Sequence, residues 1–506
     1  MHSKTGDISP AFTGFPAGHD TGNQVSAGDV PSIPGFRSCM PGVGNCAGLF
    51  AISFTMELMS ALVLGGFGAL VIAGFGFFGV VSLLEKETRA AVVSFGFATS
   101  GISFLLAVML LPSIRPAAVS VIGLAAAILI IAALLPLGRA EMGNGAPRTR
   151  VDERDIMFAR ARLRPGSPEY DAYYTMRPEN RAGDDLSRSM PGLLSPEARE
   201  ANRLLFASAY GGSELTEALR NFVDGPISGE KIQLPPAEMT SFIKALAHYY
   251  GALRAGVTEL RPYHVYSHIG RGAGRYGDPV PLEHHYAIAL TVEMDFDMIA
   301  ANPAAPGIVE SIRRYVECAT VAIQLANAIR RLGYPARAHI DGNYRVVAPL
   351  VARDAGLGEI GRMGLLMTPN WGPRVRIGIV TTDLELVPDP PTRDVTVIDF
   401  CNICNKCAEN CPTRSIPSGQ REEIDGALRW RINADTCYRY WCSVGTDCGV
   451  CMTVCPYSHP DSISHNLVRR GISHSGFLRR IAYRMDHLFY GAKPSSRKTP
   501  GWTRIR

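Results

Sequence analysis

Charged residues are almost absent from residues 50–137 of this 506-residue sequence, although Asp, Glu, Lys and Arg make up 19% of the whole chain. Cysteine is also nearly missing before residue 400, where Cys39, Cys46 and Cys318 are the only three. This placement excludes a disulfide scaffold, whose cysteines spread through a small secreted domain. The net charge of +5 is modest for this length, so no nucleic-acid partner is expected.

Three apolar runs occupy the uncharged part of the chain: Leu58–Leu84, Ala90–Leu111 and Pro116–Leu137. Each reaches the ~20 residues needed to cross a ~30 Å hydrocarbon core. Buried helices of a soluble protein are the alternative, but three such runs joined by short polar loops favour membrane spans. No short apolar run with a cleavage site and no arginine pair precedes the first run, so the sequence predicts no export signal.

Loop charges predict the orientation of these spans, because Lys and Arg concentrate on the cytoplasmic side. The first loop carries Lys86 and Arg89, and the second carries only Arg115. The segment after the third span is rich in arginine (Arg139, Arg148, Arg150 and Arg154). We therefore expect a multi-pass protein of the cytoplasmic membrane with residues 140–506 in the cytoplasm and the N-terminus outside. Cys39 and Cys46 then face the oxidising side, either as a disulfide or as two free thiols.

The charged remainder of the chain begins with prolines scattered among charges in residues 139–198, which predicts a linker. Helical periodicity follows in Ala237–Ala255 and Gly307–Leu332, and strand-like runs occur at Tyr286–Glu293 and Arg374–Thr382. Helices that alternate with strands predict an α/β core.

Nine of the twelve cysteines lie between Cys401 and Cys455, and most are two or three residues apart. The first run reads C-x2-C-x2-C-x3-C-P and the second reads C-x2-C-x3-C-P. Three thiolates two residues apart wrap one cluster, and the fourth, beyond a following turn, reaches the other cluster. The spacing therefore predicts two [4Fe–4S] clusters. We assign cluster 1 to Cys401, Cys404, Cys407 and Cys455, and cluster 2 to Cys411, Cys437, Cys448 and Cys451.

Zinc is the alternative for paired C-x2-C segments, but zinc needs four ligands per ion and does not explain the repeated C-x3-C-P. Two adjacent clusters make a one-electron wire. The two clusters alone do not identify the group that accepts these electrons.

Seven segments carry a further pattern: HVYSHIGRG (His264–Gly272), HHYAIALTVEMDFDMI (His284–Ile299), IRRLGYPARAH (Ile329–His339), AGLGEIGRMGLL (Ala355–Leu366), GPRVRIGIVTTDLEL (Gly372–Leu386), CYRYWCSVGTDCGVCMTVCPYSHP (Cys437–Pro460) and DHLFYGAKP (Asp486–Pro494). In this order they resemble the reductive dehalogenases over roughly residues 200–495. The resemblance supports Cys437 as the eighth ligand and leaves Cys442 as a spare thiol.

The resemblance implies a base-off corrinoid in a nitroreductase-like α/β core, fed by a bacterial-ferredoxin-like module with two [4Fe–4S] clusters. It implies reductive removal of halide from an aryl or alkenyl halide. The three spans look like an internal substitute for the separate membrane anchor common in the family, so membrane lipid is an expected partner. Electrons are expected from a low-potential donor, namely a ferredoxin, a flavoprotein or a quinol-linked protein.

The resemblance also suggests site residues. Tyr315 is the expected proton donor, and Ser311 lies one helical turn earlier on the same face. Either Arg374 or Arg376 is the expected active-site cation, and Arg376 is preferred. Asn343 is expected to position the substrate. For Tyr315 the alternative is a helix tyrosine half in the core, and for the arginines a solvated strand-edge pair.

A glycine pattern, G-x-G-x-x-G, occurs at Gly356, Gly358 and Gly361. We reject a dinucleotide-binding turn there, because such a turn needs a strand before the glycines and a long helix after them. The resemblance implies a tight turn that approaches the corrinoid.

These expectations divide the chain into six parts: an extracytoplasmic segment (1–49), a membrane anchor (50–138), a linker (139–198), a catalytic core (199–398), a double-cluster domain (399–460) and a basic tail that packs on the core (461–506). Two other functions stay open: an epoxyqueuosine reductase-like enzyme, and a membrane-bound electron-transfer protein without a substrate.

Overall fold

The structure of the chain is a computed structural model that describes residues 43–135, 140–391, 394–493 and 499–504, with side chains from residue 54 onward. Among the described residues, those before Ala61 belong to one unit and those from Ala61 onward belong to a second. The predicted N-terminal segment lies almost entirely outside the described residues, as do Cys39 and the side chain of Cys46.

Three long apolar helices begin the described chain: α1 (Val43–Leu84), α2 (Thr88–Leu110) and α3 (Arg115–Leu134). Each contains a segment long and apolar enough to cross a membrane. Large apolar side chains on them face outward, with Leu70 72% and Leu124 64% exposed. Because such exposure is unfavourable in water, a lipid surrounding fits these helices better than solvent does.

The predicted linker is instead a folded layer with three short helices: α4 (Met157–Arg160), α5 (Pro168–Met176) and α6 (Arg181–Arg188). Pro168 occupies the first turn of α5, where its missing N–H is harmless, and the Ser167 side chain accepts a hydrogen bond from the Tyr170 N–H. Tyr170 and Tyr173 are buried. The linker prediction was wrong because its prolines begin helices and its tyrosines supply a small core.

The core contains five helices and four main strands. In chain order they are α7 (Arg203–Leu219), α8 (Pro236–Tyr249), β1 (Arg254–Glu259), β2 (Tyr286–Glu293), α9 (Phe296–Ala300), α10 (Ala305–Arg331), β3 (Ala336–His339) and α11 (Ala348–Asp354), followed by a short β4 (Glu359–Ile360) and β5 (Leu366–Met367) pair and then β6 (Val375–Thr382). The main sheet has the order β1-β2-β6-β3, and every pairing is antiparallel.

The central strand β2 pairs Tyr286 with Thr382 of β6 and Glu293 with Val375. Its six inner residues are all buried, because helices cover both faces of the sheet. This explains why β2 reads as a continuous apolar run rather than an alternating one. The predicted strands and the long helix α10 are confirmed. The other predicted helix ends six residues early, at Tyr249, because Gly251 adopts a positive φ of 110° before β1 begins.

The C-terminal region wraps the cysteines in short elements: α12 (Val395–Ile403), α13 (Lys406–Glu409), β7 (Glu422–Ile424), β8 (Ala427–Arg429), α14 (Ala434–Val444), α15 (Val450–Thr453), α16 (Ile463–His474) and α17 (Gly476–Tyr490). The eight predicted ligand cysteines lie on or beside α12, α13, α14 and α15. The last two helices form a hairpin that packs on α12 and on the apolar helix α2.

Candidate active site and cluster-binding region

The first cysteine set converges from two distant parts of the chain. Cys401 lies in α12, Cys404 ends that helix, Cys407 lies in α13 and Cys455 follows α15. Burial raises the pKa of the Cys455 thiol well above its ordinary value, and the charges of the other three sulfurs raise it further. These four thiols are therefore close neighbours.

The second set contains Cys411, Cys437, Cys448 and Cys451. Burial raises the pKa of the Cys451 thiol well above its ordinary value, and Cys448, Cys437 and Cys411 act on it in the same direction. Cys442 lies beside Tyr438 instead, with which it shares a hydrogen bond. The structure thus brings Cys437, and not Cys442, together with the other three.

The donor chemistry of both sets fits iron–sulfur clusters. Among the described residues, no group of three or more His, Cys, Asp and Glu side chains is placed to hold a single metal ion. The guanidinium of Arg362, only 1% exposed, bonds the Cys401 carbonyl oxygen at 3.0 and 2.8 Å. A buried cation there favours the thiolate form of the first set.

A tyrosine–arginine pair lies near the second set. The guanidinium of Arg376 stacks over the Tyr315 ring, 4.6 Å from its centroid. Its Nη2 donates to Ser311 Oγ at 2.6 Å and to Asp447 Oδ2 at 3.0 Å. Ser311 Oγ also donates to that carboxylate oxygen. Asp447 directly precedes Cys448, so these side chains connect the phenol to the cysteine region.

The charges around Tyr315 act on its pKa in opposite directions. The Arg376 cation has the largest single effect and lowers the pKa. Burial and the carboxylates of Asp341 and Asp447 outweigh that effect, so the pKa of the phenol is raised from its ordinary value. Tyr315 therefore keeps its proton throughout the neutral range.

The two candidate arginines have different surroundings. Arg374 is completely buried. It donates to the carbonyl oxygens of Ser458 and Met294 and pairs with Glu293 at 3.1 Å. These contacts fix the turn before β6 to the cluster-binding region. Of the two, Arg376 is the one that the structure brings to Tyr315.

Several buried polar atoms around this pair lack a partner. Asn343 is 1% exposed, and its Oδ1 accepts from Arg337 at 2.9 Å. Asn343 Nδ2, Arg376 Nε and Asp447 Oδ1 have no hydrogen-bond partner. Because buried polar atoms are rarely unpaired, this concentration fits a site that receives a polar ligand.

Gly356 and Gly358 lie between α11 and the short strand β4, and Gly361 begins the tight turn from β4 to β5. Gly356 has a φ of +76°, which favours glycine. A Cβ on Gly361 would meet Met367 and lie 3.6 Å from the Cys401 sulfur, so the turn approaches the first cysteine set. Gly361 also lines a cavity of about 540 Å³, together with Arg353 and Trp430.

Asp447 is the site residue that the sequence reasoning missed. It bonds both Ser311 and Arg376, and its side chain is 11% exposed. Its position between Gly445 and Cys448, inside a cysteine motif, was the available signal. The cysteine motif by itself indicates thiolate ligands and no role for Asp447.

Known proteins are similar to parts of this sequence. The family model of a 4Fe-4S dicluster domain matches residues 400–459. The tetrachloroethene reductive dehalogenase of Sulfurospirillum multivorans is 33% identical over 297 residues, which are 51% of this chain and 58% of that protein. The chain therefore spans less than two thirds of this relative's length.

Two solved structures share the fold. The catabolic reductive dehalogenase NpRdhA has a TM-score of 0.58 and 24% identity, over 71% of this chain and 50% of that one. A reductive dehalogenase whose structure suggests a mechanism for B12-dependent dehalogenation has a TM-score of 0.57 and 24% identity, with the same coverage.

Proposed function

We propose that this chain, a relative of the reductive dehalogenases in sequence and in fold, reductively removes halide from an aryl or alkenyl halide. The observation that carries the proposal is the Tyr315–Arg376 pair, which the Asp447 carboxylate connects to the second cysteine set. The net reaction consumes two electrons and one proton and converts a carbon–halogen bond into a carbon–hydrogen bond and a halide ion. Tyr315 is the proposed source of that proton.

The proposed role of Tyr315 follows from its surroundings. Its raised pKa keeps the phenol protonated at neutral pH. Arg376, stacked over the ring, favours the phenolate that remains after the proton has left. Ser311 and Asp447 hold Arg376 in that position. The Tyr315 hydroxyl thus holds the proton, and the Arg376 cation stabilises the negative charge that develops on the phenolate when the proton leaves.

The corrinoid is a proposed cofactor of this chain. When bound, a corrinoid would supply the low-potential reducing chemistry that cleavage of a carbon–halogen bond needs. The unpartnered atoms of Asn343, Arg376 and Asp447 support a polar ligand beside Tyr315. Gly361 lines the 540 Å³ cavity, which we propose takes up part of the same cofactor. The antiparallel core with helices on both faces would then be nitroreductase-like.

The two cysteine sets are the proposed ligands of two [4Fe–4S] clusters that act as a one-electron wire. The bond between Arg376 and Asp447, the residue directly before Cys448, supports a position of cluster 2 (Cys411, Cys437, Cys448, Cys451) near the Tyr315 site. Cluster 1 (Cys401, Cys404, Cys407, Cys455) is then the entry point for electrons. The proposed donor is a low-potential ferredoxin, flavoprotein or quinol-linked protein, and no nucleic acid takes part.

We also propose that α1, α2 and α3 cross the cytoplasmic membrane. The loop between α1 and α2 contacts the catalytic part: Lys86 pairs with Asp297 at 2.5 Å and Glu85 with His465 at 2.9 Å. The loop and the catalytic part therefore lie on the same side of the bilayer. Because this loop carries Lys86 and Arg89, we propose that side to be the cytoplasm.

Anaerobic reconstitution with iron, sulfide and cobalamin tests the function. Metal analysis should find about eight iron atoms and one cobalt atom per chain, as two four-iron clusters and one corrinoid require. Halide release is then measured with tetrachloroethene and with halogenated phenols. Iron near eight with no cobalt would instead indicate an electron-transfer protein. Full cobalt loading with no halide release, but with epoxyqueuosine reduction, would identify the other corrinoid chemistry.

A further inference from the structure

The C-terminal hairpin of α16 and α17 contacts the membrane helices well below their ends. Phe489 packs against the rings of Phe75, Phe78 and Phe97, with centroids 6.4, 5.4 and 6.1 Å away. Phe75 lies nine residues before the end of α1, and Phe97 nine residues after the start of α2. At 1.5 Å per residue these contacts lie about 13 Å below the loop.

Other contacts of the hairpin lie nearer the ends of the spans. His465 of α16 bonds Glu85 and packs edge-on against Phe78, with ring centroids 6.2 Å apart. Ser475, between the two helices, donates to the carbonyl oxygen of Ala132 at 2.8 Å, close to the end of α3. The hairpin therefore lies against all three spans rather than above them.

The free face of α16 is apolar where it begins and basic where it ends. Ile463 is 82% exposed and Leu467 is 71% exposed, and they lie one helical turn apart. Arg470 and His474 continue the same stripe, opposite the buried His465. Exposed Arg480 and Arg484 add further positive charge on α17. An apolar stripe beside basic residues is typical of a helix that lies in a membrane interface.

We propose that α16 and α17 form an interfacial element seated in the cytoplasmic leaflet beside the three spans, with an anionic lipid bilayer as the partner. Ile463 and Leu467 enter the boundary of the acyl chains, and the arginines contact phosphate headgroups. The inference rests on the proposed membrane insertion of α1–α3. It adds a membrane-contacting surface on the hairpin, which insertion of the three spans does not by itself require.

The hairpin also determines which cluster lies nearest the bilayer. Arg479 pairs with Asp399 at 2.5 Å, and Asp399 is two residues before Cys401. Lys406, adjacent to Cys407, pairs with Asp486 of α17 at 2.5 Å. The ligand segment Cys401–Cys407 of cluster 1 is thus bonded to the hairpin at two points. An interfacial hairpin holds cluster 1 at the membrane surface and leaves cluster 2 with the Tyr315 site.

Photocrosslinking tests the proposal in the full chain. The photoreactive p-benzoylphenylalanine replaces one residue at a time in protein assembled into nanodiscs of equal phosphatidylcholine and phosphatidylglycerol. Leu467 is the test position. Leu124 in the third span is the positive control, and Phe242, 46% exposed on α8, is the matched control away from the spans. Mass spectrometry then identifies the adducts, and iron content verifies that each variant is folded.

The proposal predicts phospholipid adducts at 467 and at 124 and at least tenfold fewer at 242. At His474, beside Arg470, phosphatidylglycerol adducts should exceed phosphatidylcholine adducts at least twofold. Lipid adducts at 124 without adducts at 467 would overturn the interfacial hairpin and leave the spans intact. Absence of adducts at both positions would overturn membrane insertion itself, and equal adducts of both lipids at 474 would overturn the role of the arginines.

Discussion

Tyr315 and Tyr344 are neighbouring tyrosines whose hydroxyl groups have different partners. The Tyr344 hydroxyl donates to the Ile377 carbonyl oxygen at 2.9 Å, whereas the ring of Tyr315 lies beneath the Arg376 cation. A fixed hydrogen bond to the backbone indicates a structural role, and a phenol beside a cation and a cluster of unpartnered atoms indicates a reactive one.

Tyr315→Phe removes the proposed proton and should lower turnover about 100-fold or more, in line with the loss of a general acid. Iron and cobalt contents should stay unchanged. Tyr344→Phe is the matched control and should keep turnover within a few-fold. Turnover is measured as halide release per cobalt. A Tyr315→Phe enzyme with normal turnover would remove this residue from the mechanism.

Arg376→Gln and Arg374→Gln should have opposite effects. The first keeps a donor for Ser311 and Asp447 but removes the cation, so turnover should fall about 100-fold with little loss of stability. The second removes a buried charge that bonds Ser458, Met294 and Glu293, so the free energy of unfolding should fall by about 3 kcal/mol. Denaturant unfolding and turnover per loaded enzyme are measured for both. If Arg374→Gln lost turnover and Arg376→Gln lost stability instead, the active-site cation would be Arg374.

The sequence allowed more to be predicted about the cysteines than about the arginines. Thiolate spacing depends on local geometry, so C-x2-C-x2-C indicates one shared cluster before any fold is known. The choice between Arg374 and Arg376 depends on where β6 begins and on the position of α10, both set by distant packing. Asp447 was missed for the same reason, since its partners lie 136 and 71 residues away along the chain.

At the scale of elements, strand β1 and helix α11 approach each other at Gly256. A Cβ added to Gly256 would lie 2.1 Å from the Ala355 carbonyl oxygen, which is backbone and cannot rotate away. Gly256→Ala should therefore lower the free energy of unfolding by about 2 kcal/mol or more. Gly229→Ala, where nothing lies within 4 Å, is the control. Equal unfolding midpoints for the two variants would show that β1 and α11 separate readily.

The junction between the hairpin and the cluster-binding region should make stability depend on pH. Burial lowers the pKa of His459 to about 4, although Asp486 acts in the opposite direction. The unfolded imidazole titrates near 6.5, so below that pH the unfolded chain binds a proton that the folded chain does not. Stability should therefore fall as the pH decreases from about 6.5 to about 4.

This pH dependence is measured from unfolding midpoints in nanodiscs across that range. His459→Gln should flatten it, because the substituted side chain does not titrate. His285→Gln changes an exposed histidine and is the matched control. A His459→Gln profile that follows the unsubstituted protein would assign the pH dependence to other groups.

Elements with strong periodicity were predicted well, and those that depend on tertiary contacts were not. The strand Tyr286–Glu293 and the three apolar helices follow from their residue patterns. Residues 139–198 were predicted as a linker because prolines and charges dominate their composition. Their tyrosines pack against each other and against Tyr276, which is distant along the chain, so a short sequence window gives no sign of that core.

At the scale of the whole molecule, the chain combines a reductive dehalogenase fold, a C-terminal 4Fe-4S dicluster domain and three helices apolar enough to span a membrane. The resemblance predicted from the ordered motifs is confirmed by the relatives in sequence and structure. The proposed wire depends on the assignment of all eight cysteines to two clusters.

Cys437→Ala and Cys442→Ala test that assignment. The first removes a proposed ligand of cluster 2, so iron should fall from about eight to about four atoms per chain. The second changes a thiol that lies beside Tyr438, so iron should stay near eight. Iron is measured after anaerobic reconstitution. Loss of iron in Cys442→Ala with full iron in Cys437→Ala would exchange their roles.

We propose that the electrons delivered to the clusters are consumed in the reduction of a carbon–halogen bond. The most direct measurement follows reduced viologen oxidation and halide release together, with the fully loaded enzyme and tetrachloroethene or a halogenated phenol. We expect one halide ion for every two electrons consumed, and loss of both viologen oxidation and halide release in Tyr315→Phe. Electron consumption without halide release from either substrate class would contradict it.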